Sequence, residues 1–162
     1  MKIGILSDTH NHTGNLRRAL ALFREAGVTQ LIHCGDLTSP QTAVPLQPFS
    51  LIYTPGNMDG RALPPAIKQL DPQNIVGDIF TGTIDGVAMA ATHGHRESKL
   101  NALIHNGRYA YVFHGHTHRR RDTIIGQTRV INPGALGGSR HEPRSVAILD
   151  LDKAAVTFHE LE

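Results

Sequence analysis

The chain opens with Lys2-Ile3-Gly4-Ile5-Leu6-Ser7-Asp8-Thr9-His10, an apolar run that ends in polar residues. A short apolar run bounded in this way predicts a buried β-strand over residues 2–7. An amphipathic helix is predicted over residues 15–27, because apolar residues recur there at helical spacing. Two more strands are predicted over residues 30–34 and 50–53, with a short helix between them. Alternation of strands and helices favours parallel strands joined by crossover helices.

The second half of the chain has a different pattern. Three pairs of apolar segments are joined by short turn sequences, which predicts β-hairpins over residues 78–92, 122–131 and 145–161. A helix over residues 98–106 and a strand over residues 109–114 lie between the first two hairpins. This half is therefore predicted to be mostly antiparallel. We predict an α/β fold with two mixed β-sheets and helices outside them, rather than one doubly wound sheet.

Length and composition exclude several classes of protein. The 162 residues, with 40% hydrophobic and 19% charged residues, predict a single folded domain over residues 1–162. A formal net charge of +2 is too small for a general polycation. One cysteine cannot form an intrachain disulfide, and no apolar stretch approaches the ~20 residues of a membrane span. Since the first residues also lack a signal-peptide pattern, we expect a cytoplasmic protein.

Polar residues that can bind metal follow the predicted strands in five places. Parallel strand ends meet at one edge of a sheet, where ligands commonly bind. The donors are carboxylates, imidazoles and one amide, which favour Mn, Fe, Zn, Co or Ni over a cysteine-rich structural zinc site. They number seven, too many for one tetrahedral ion, and suit two ions that share a carboxylate. The seven candidate ligands are Asp8, His10, Asp36, Asn57, His93, His116 and His118.

The order of these blocks resembles a known family. Asp8-x-His10, Gly35-Asp36, Gly56-Asn57-x-Asp59, His93 and Gly115-His116-Thr117-His118 are similar to the five-block signature of the calcineurin-like metallophosphoesterases, over residues 3 to about 140. The short chain resembles the family's small, single-domain prokaryotic phosphodiesterase branch. The resemblance implies a four-layer α-β-β-α sandwich of two mixed β-sheets.

The resemblance also implies a binuclear metal centre and a reaction. One ion would be held by Asp8, His10, Asp36 and His118, and the other by Asp36, Asn57, His93 and His116, with Asp36 bridging. We expect two divalent ions, Mn²⁺ by family resemblance, and a bridging hydroxide that attacks phosphorus in line with the leaving group. The expected substrate is a small phosphodiester or another phosphoester. Nucleic acid is less favoured as a substrate, no membrane is expected, and a homo-oligomer stays open.

Two classes of function remain as alternatives at this point. A non-catalytic interaction scaffold on the same fold would be expected to have lost a ligand, and all seven candidates are present. A metal-dependent nuclease is compatible with the basic run Arg119, Arg120 and Arg121, although 5% aromatic residues leave few stacking platforms for bases. We interpret that run primarily as a solvated strand end.

The side-chain chemistry of the residues beside the ligands predicts their roles. His95 is a candidate catalytic residue that contacts phosphate or transfers a proton. Asp59 is the other candidate, and it either orients an active-site group or caps the following segment. Met58 stands where many relatives have histidine, and because a thioether donates no proton we expect a preference for good leaving groups such as aryl phosphodiesters. A structural role is predicted for the remaining histidines, which are His12, His33, His105, His114, His141 and His159.

Overall fold

The computed structural model describes residues 1–161. Eleven strands and four α-helices occur within them. The strands are β1 (Lys2–Leu6), β2 (Gln30–His33), β3 (Ser50–Tyr53), β4 (Ile75–Val76), β5 (Ile79–Ile84), β6 (Val87–Thr92), β7 (Tyr111–Phe113), β8 (Arg120–Ile125), β9 (Thr128–Pro133), β10 (Ser145–Asp150) and β11 (Ala155–Glu160). The helices are α1 (Thr13–Glu25), α2 (Pro40–Ala43), α3 (Leu63–Leu70) and α4 (Glu97–His105), and a 3₁₀ turn at Val44–Leu46 follows α2.

The strands form two mixed sheets. The first sheet has six strands in the order β11-β10-β1-β2-β3-β4, with parallel pairing from β1 to β4 and antiparallel pairing on the β10 side. The second has five strands in the order β5-β6-β7-β9-β8. Its outer pairs are antiparallel hairpins, whereas β6 with β7 and β7 with β9 pair in parallel. The prediction of a mostly antiparallel second half therefore holds for the hairpins but not for the centre of this sheet.

Alternating side chains divide the apolar interior into three parts. In β1, Leu6 faces α1 and α3, whereas Ile5 faces the second sheet, as expected for successive residues of a strand. The sheet-to-sheet core includes Phe113 and Met89 from the second sheet. A smaller cluster packs α4 on the outer face of that sheet through Leu103. The order of layers is helices, sheet, sheet, helix, and the predicted four-layer α-β-β-α sandwich is confirmed.

Two elements were not predicted from the sequence. Helix α3 contains Pro64 and Pro65 in its first turn, where proline is tolerated because those backbone N–H groups need no helical partner. Strand β4 has two residues and adds to the edge of the first sheet through Ile52 and Tyr53. In the sequence, both elements lie between the third polar block and the first hairpin.

No helix within residues 1–161 combines the length and hydropathy of a membrane-spanning segment. The longest, α1, has 13 residues and one buried apolar face. Phe23 and Leu16 of that face pack on the first sheet.

Candidate active site

The seven predicted ligands are brought to one edge of the sandwich by the strands that precede them. Asp8 and His10 follow β1, and Asp36 follows β2. Three further segments after β3, β6 and β7 supply Asn57, His93, and the pair His116 and His118. Because these strands run in parallel within their sheets, their carboxyl ends open on the same edge.

The first group of ligands gathers around Asp8. Its Oδ1 atom lies 3.2 Å from His118 Nε2 and 3.8 Å from His10 Nε2, and the two imidazole nitrogens are 3.3 Å apart. One ligand atom from each of these three residues lies within 4.8 Å of the others. A carboxylate and two imidazoles at this spacing form one face of a divalent metal site.

The second group gathers around Asp36. Its Oδ2 atom lies 3.3 Å from His93 Nε2 and 3.7 Å from His10 Nε2, so one carboxylate faces ligands of both groups. Asn57 Oδ1 lies 3.1 Å from His93 Nε2, and the His116 ring meets the His93 ring edge-on with centroids 5.2 Å apart. All seven predicted ligands are therefore in one cluster, and Asp36 Oδ2 lies between His93 Nε2 and His10 Nε2.

Backbone geometry at the cluster is unusual. Five of the seven candidate ligands have a positive φ, although none is glycine: Asp8 (53°), His10 (45°), Asp36 (57°), His116 (69°) and His118 (55°). This left-handed region costs an L-residue roughly 1–2 kcal/mol and tends to concentrate at functional sites. The strain turns each chain sharply after its strand and aims the side chain at the cluster.

Two glycines allow the close approach of the ligand loops. A Cβ atom on Gly56 would lie 2.1 Å from Asp36 Oδ1, and one on Gly115 would lie 1.9 Å from Ser7 Oγ and 2.6 Å from Asp8 Oδ2. Any side chain at either position would displace a candidate metal-binding carboxylate. The glycines of these blocks thus serve the packing of the site.

Hydrogen bonds orient the imidazoles from behind. His93 Nδ1 donates to the Cys34 carbonyl at 2.6 Å, and His118 Nδ1 donates to the Ser139 carbonyl at 2.8 Å. In the neutral form of each ring, the Nε2 atom then carries the lone pair that points into the cluster, the arrangement expected of a metal-binding histidine.

Asp59 lies beneath the cluster rather than in it. Its carboxylate accepts backbone N–H groups of Asp36 at 3.0 Å, Thr38 at 2.8 Å and Gly56 at 2.8 Å, and it also accepts the Tyr53 hydroxyl. It therefore connects the loop of Asp36 to the loop that carries Asn57. These contacts favour the orienting role over the capping role, and the orienting role stays a prediction.

The charges of the cluster suit cations. Asp8 Oδ1 is fully buried and accepts no hydrogen bond of acceptable geometry from residues 1–161. A buried, unpaired carboxylate oxygen is costly unless a cation meets it. Burial opposes the charged form of Asp8, but interactions with His10 and His118 outweigh it and hold the pKa of Asp8 well below its usual range. The residues therefore fit a divalent metal site.

The imidazoles respond to the same carboxylates. The Asp8 carboxylate, whose Oδ1 atom is 3.2 Å from His118 Nε2, raises the pKa of His118. Burial works against the charged form of His93, yet the hydrogen bond with Asp36 outweighs it and raises the pKa of His93. Protons on these nitrogens occupy positions that metal ions would take, so metal binding must displace them.

An open cleft of about 220 Å³ lies over the cluster. Met58 is 59% exposed and forms part of its rim, while the backbone N–H of Met58 donates to Asp36 Oδ1 at 2.9 Å. His95 is beside the cluster: its ring centroid is 5.4 Å from His93 and 6.2 Å from His116. Burial and the neighbouring His93 lower the pKa of His95, which favours its neutral form.

The histidines that were predicted to be structural have different surroundings in the structure. His33 and His114 are buried, and burial lowers the pKa of each to about 4. His12 caps α1 by accepting the Asn15 N–H. His141, in contrast, lines the metal cleft with its ring 6.3 Å from that of His118. Sequence reasoning missed His141 because nothing in its local pattern signals that the loop after β9 returns to the site.

Comparison with known proteins agrees with the site. The pattern of the calcineurin-like phosphoesterase superfamily domain matches residues 1–154. The phosphodiesterase MJ0936 of Methanocaldococcus jannaschii is 38% identical over 157 residues, covering 94% of this chain and 95% of that protein. A solved structure described as a novel archaeal phosphodiesterase superposes with a TM-score of 0.93 at 36% identity, over 99% of this chain and all of the other. The E. coli phosphoesterase YfcE shares the fold, with a TM-score of 0.75 at 22% identity over both whole chains.

The fold and the site together define a hydrolase of phosphoric ester bonds. The chain belongs to the calcineurin-like phosphoesterase superfamily, which its match over residues 1–154 establishes. The predicted family and the predicted α/β architecture are therefore confirmed.

Proposed function

We propose that this protein is a phosphodiesterase that uses two divalent metal ions, with Mn²⁺ as the expected metal. One ion would be held by Asp8, His10, Asp36 and His118, and the other by Asp36, Asn57, His93 and His116. The observation that carries this proposal is the placement of Asp36 Oδ2 between His93 Nε2 and His10 Nε2, at 3.3 and 3.7 Å. The phosphodiesterases at 36–38% identity support it.

The chain's own residues supply positioning and charge. When bound, the two ions would lower the pKa of a water molecule and offset negative charge on the phosphate oxygens. Asp8 and Asp36 would neutralise two of the four positive charges, which leaves the site attractive to an anionic phosphoester. The carbonyls of Cys34 and Ser139 hold His93 and His118 with their Nε2 atoms toward the cleft. No side chain is needed as a nucleophile, and the fully buried Cys34 thiol, whose pKa burial raises, is not suited to that role.

The side chains at the rim of the cleft influence which phosphoesters the protein can hydrolyse. Met58 donates no proton to a departing alkoxide. The lowered pKa of His95 favours its neutral imidazole at neutral pH, and the neutral imidazole is a very weak acid. Esters whose leaving group is already stable as an anion would need no such help. We therefore propose aryl phosphodiesters as good artificial substrates and alkyl monoesters as poor ones.

The test is hydrolysis of bis-p-nitrophenyl phosphate by purified protein that has been stripped with EDTA and then reloaded. We expect activity with Mn²⁺ and a loss of at least 100-fold after stripping. His118→Gln should remain inactive at Mn²⁺ concentrations that saturate the wild type. His105→Gln, at an exposed position of α4, is the matched control and should retain full activity. Equal rates of hydrolysis by the EDTA-stripped protein and the Mn²⁺-reloaded protein would refute the proposal.

A further inference from the structure

A second pocket adjoins the metal cleft and has no assigned role. It encloses about 320 Å³, at the lower end of the range for small-molecule sites. His116 lines both the cleft and this pocket, so the two are continuous at that side chain. Leu100 and Glu97 of α4 form one wall, and Arg121 of β8 forms another. We call this space the Arg121 pocket.

The three arginines after His118 have different surroundings. Arg120 is tied to acidic side chains, with Nη1 2.7 Å from Glu160 Oε1 and Nε 3.5 Å from Glu142 Oε2. Arg119 is exposed. Arg121 lies on the opposite face of β8 from Arg120, because side chains alternate along a strand. Of the three arginines, Arg121 is the one that lines the pocket.

The guanidinium of Arg121 has neutral partners. Its Nε donates to Thr123 Oγ1 at 3.0 Å, and its Nη1 lies 3.5 Å from His114 Nε2. The His114 Nδ1 donates to the Gly115 carbonyl, which leaves Nε2 as the acceptor for Arg121. Within residues 1–161 no carboxylate lies within 4 Å of this guanidinium. The positive charge is therefore oriented by two hydrogen bonds but not neutralised.

Glu97 is the acidic group of the pocket. It stands in the first turn of α4, where the helix dipole stabilises a carboxylate, and it is exposed to solvent. It lines the pocket without pairing with Arg121, so the two charges face the same space separately. An anionic ligand would be attracted by Arg121 and repelled by Glu97.

We propose that the Arg121 pocket binds one ester arm of the phosphodiester substrate and prefers an arm that carries a second phosphoryl group. This inference rests on the proposed function, because it places the reacting phosphate at the metal cleft. A phosphodiester held there has two ester arms, and the pocket beside His116 lies open to one of them. Guanidinium groups bind phosphate through paired hydrogen bonds, and Arg121 retains unused donors for that purpose.

The test compares two substrates that release the same p-nitrophenol. One is the p-nitrophenyl ester of thymidine 5′-phosphate, and the other is the same ester with an added 3′-phosphate. With Mn²⁺ at constant ionic strength, we expect the added phosphate to lower KM about tenfold, the effect of one partly exposed charged hydrogen-bonded contact. Arg121→Gln should abolish this preference, so that the KM values of the two esters lie within about twofold of each other.

Two variants make the test specific to the pocket. Arg119→Gln removes the same charge from the neighbouring exposed position and should keep the preference. Glu97→Gln removes the repulsive carboxylate and should strengthen the preference for the ester with the 3′-phosphate. Calorimetric titration of the Mn²⁺-loaded protein with thymidine 3′,5′-bisphosphate should give the same ranking of variants without turnover.

The outcomes separate this inference from the proposed function. A wild type that hydrolyses bis-p-nitrophenyl phosphate but shows equal KM for the two thymidine esters would overturn the pocket proposal alone. Equal losses in Arg119→Gln and Arg121→Gln would also overturn it, since they would reveal a general charge effect. A protein with no metal-dependent hydrolysis of any diester would overturn both.

Discussion

Replacement of Asp59 by alanine distinguishes a positioning residue from a proton carrier. The carboxylate accepts the N–H groups of Asp36, Thr38 and Gly56 and the Tyr53 hydroxyl, and no alanine atom replaces it. If Asp59 acts by fastening loops, Asp59→Ala should weaken both folding and metal binding. If it carried a proton, the main loss would be in the pH dependence of turnover.

The size of the effect follows from these four contacts. Hydrogen bonds to a charged group contribute roughly 1.5–3 kcal/mol each, and water reaching the half-buried loop recovers part of that. We expect Asp59→Ala to lower the free energy of unfolding by about 4 kcal/mol. For a domain of this size that corresponds to a fall in Tm of about 10 °C.

Thermal unfolding and calorimetric metal titration measure the two expected effects. Mn²⁺ affinity should fall at least tenfold, because Asp36, a proposed ligand, loses the hydrogen bond from its backbone N–H to Asp59. Residual activity at saturating Mn²⁺ should keep the wild-type pH profile. Asp71→Ala is the control, since Asp71 accepts one backbone N–H from Gln73 at 2.9 Å and lies outside the cluster. An unchanged Tm together with the loss of one limb of the pH profile would refute this reasoning.

Three further changes test other parts of the structure. Gly56→Ala should reduce kcat/KM for bis-p-nitrophenyl phosphate at least 100-fold, because its Cβ would collide with Asp36 Oδ1, whereas Gly60→Ala meets nothing within 4 Å and should stay within twofold. Met58→His should raise kcat/KM for alkyl phosphomonoesters at least tenfold by supplying a proton, with His95→Ala as comparison; a wild type that is equally fast or faster on these esters would contradict the leaving-group argument. Burial lowers the pKa of His114 to about 4, so the folded state resists a proton that the unfolded state accepts near pH 6.5. Stability is then lost as pH falls from about 6.5 to about 4, and His114→Asn should remove about 3 kcal/mol of that fall in urea unfolding of the metal-free protein; parallel pH curves for the two proteins would count against it.

Local patterns were sufficient to predict much of the architecture. The Asp85-Gly86 hairpin was predicted from its turn sequence, and both residues adopt the positive φ that such a turn needs. The edge on which the ligands meet followed from the positions of Asp8, Asp36 and Asn57 directly after buried strands. These features depend on neighbours in the chain, which the sequence displays.

Features that depend on distant partners were not predicted. The parallel pairing of β7 with β6 and β9 is set by packing between the sheets, since Phe113 and Met89 share the central core. His141 reaches the cleft only because the loop before β10 folds back over His118. The different contacts of Arg120 and Arg121 were likewise not predicted, because they depend on which face of β8 each side chain occupies.

The left-handed backbone at the candidate metal ligands connects metal binding to the stability of the newly folded protein. At about 1 kcal/mol for each of five strained residues, the ligand loops store energy comparable to the lower range of a whole domain's stability. If these residues hold metal ions as proposed, ion binding would offset that strain, and the supply of metal would then govern how long a newly made chain resists local opening and proteolysis at this edge.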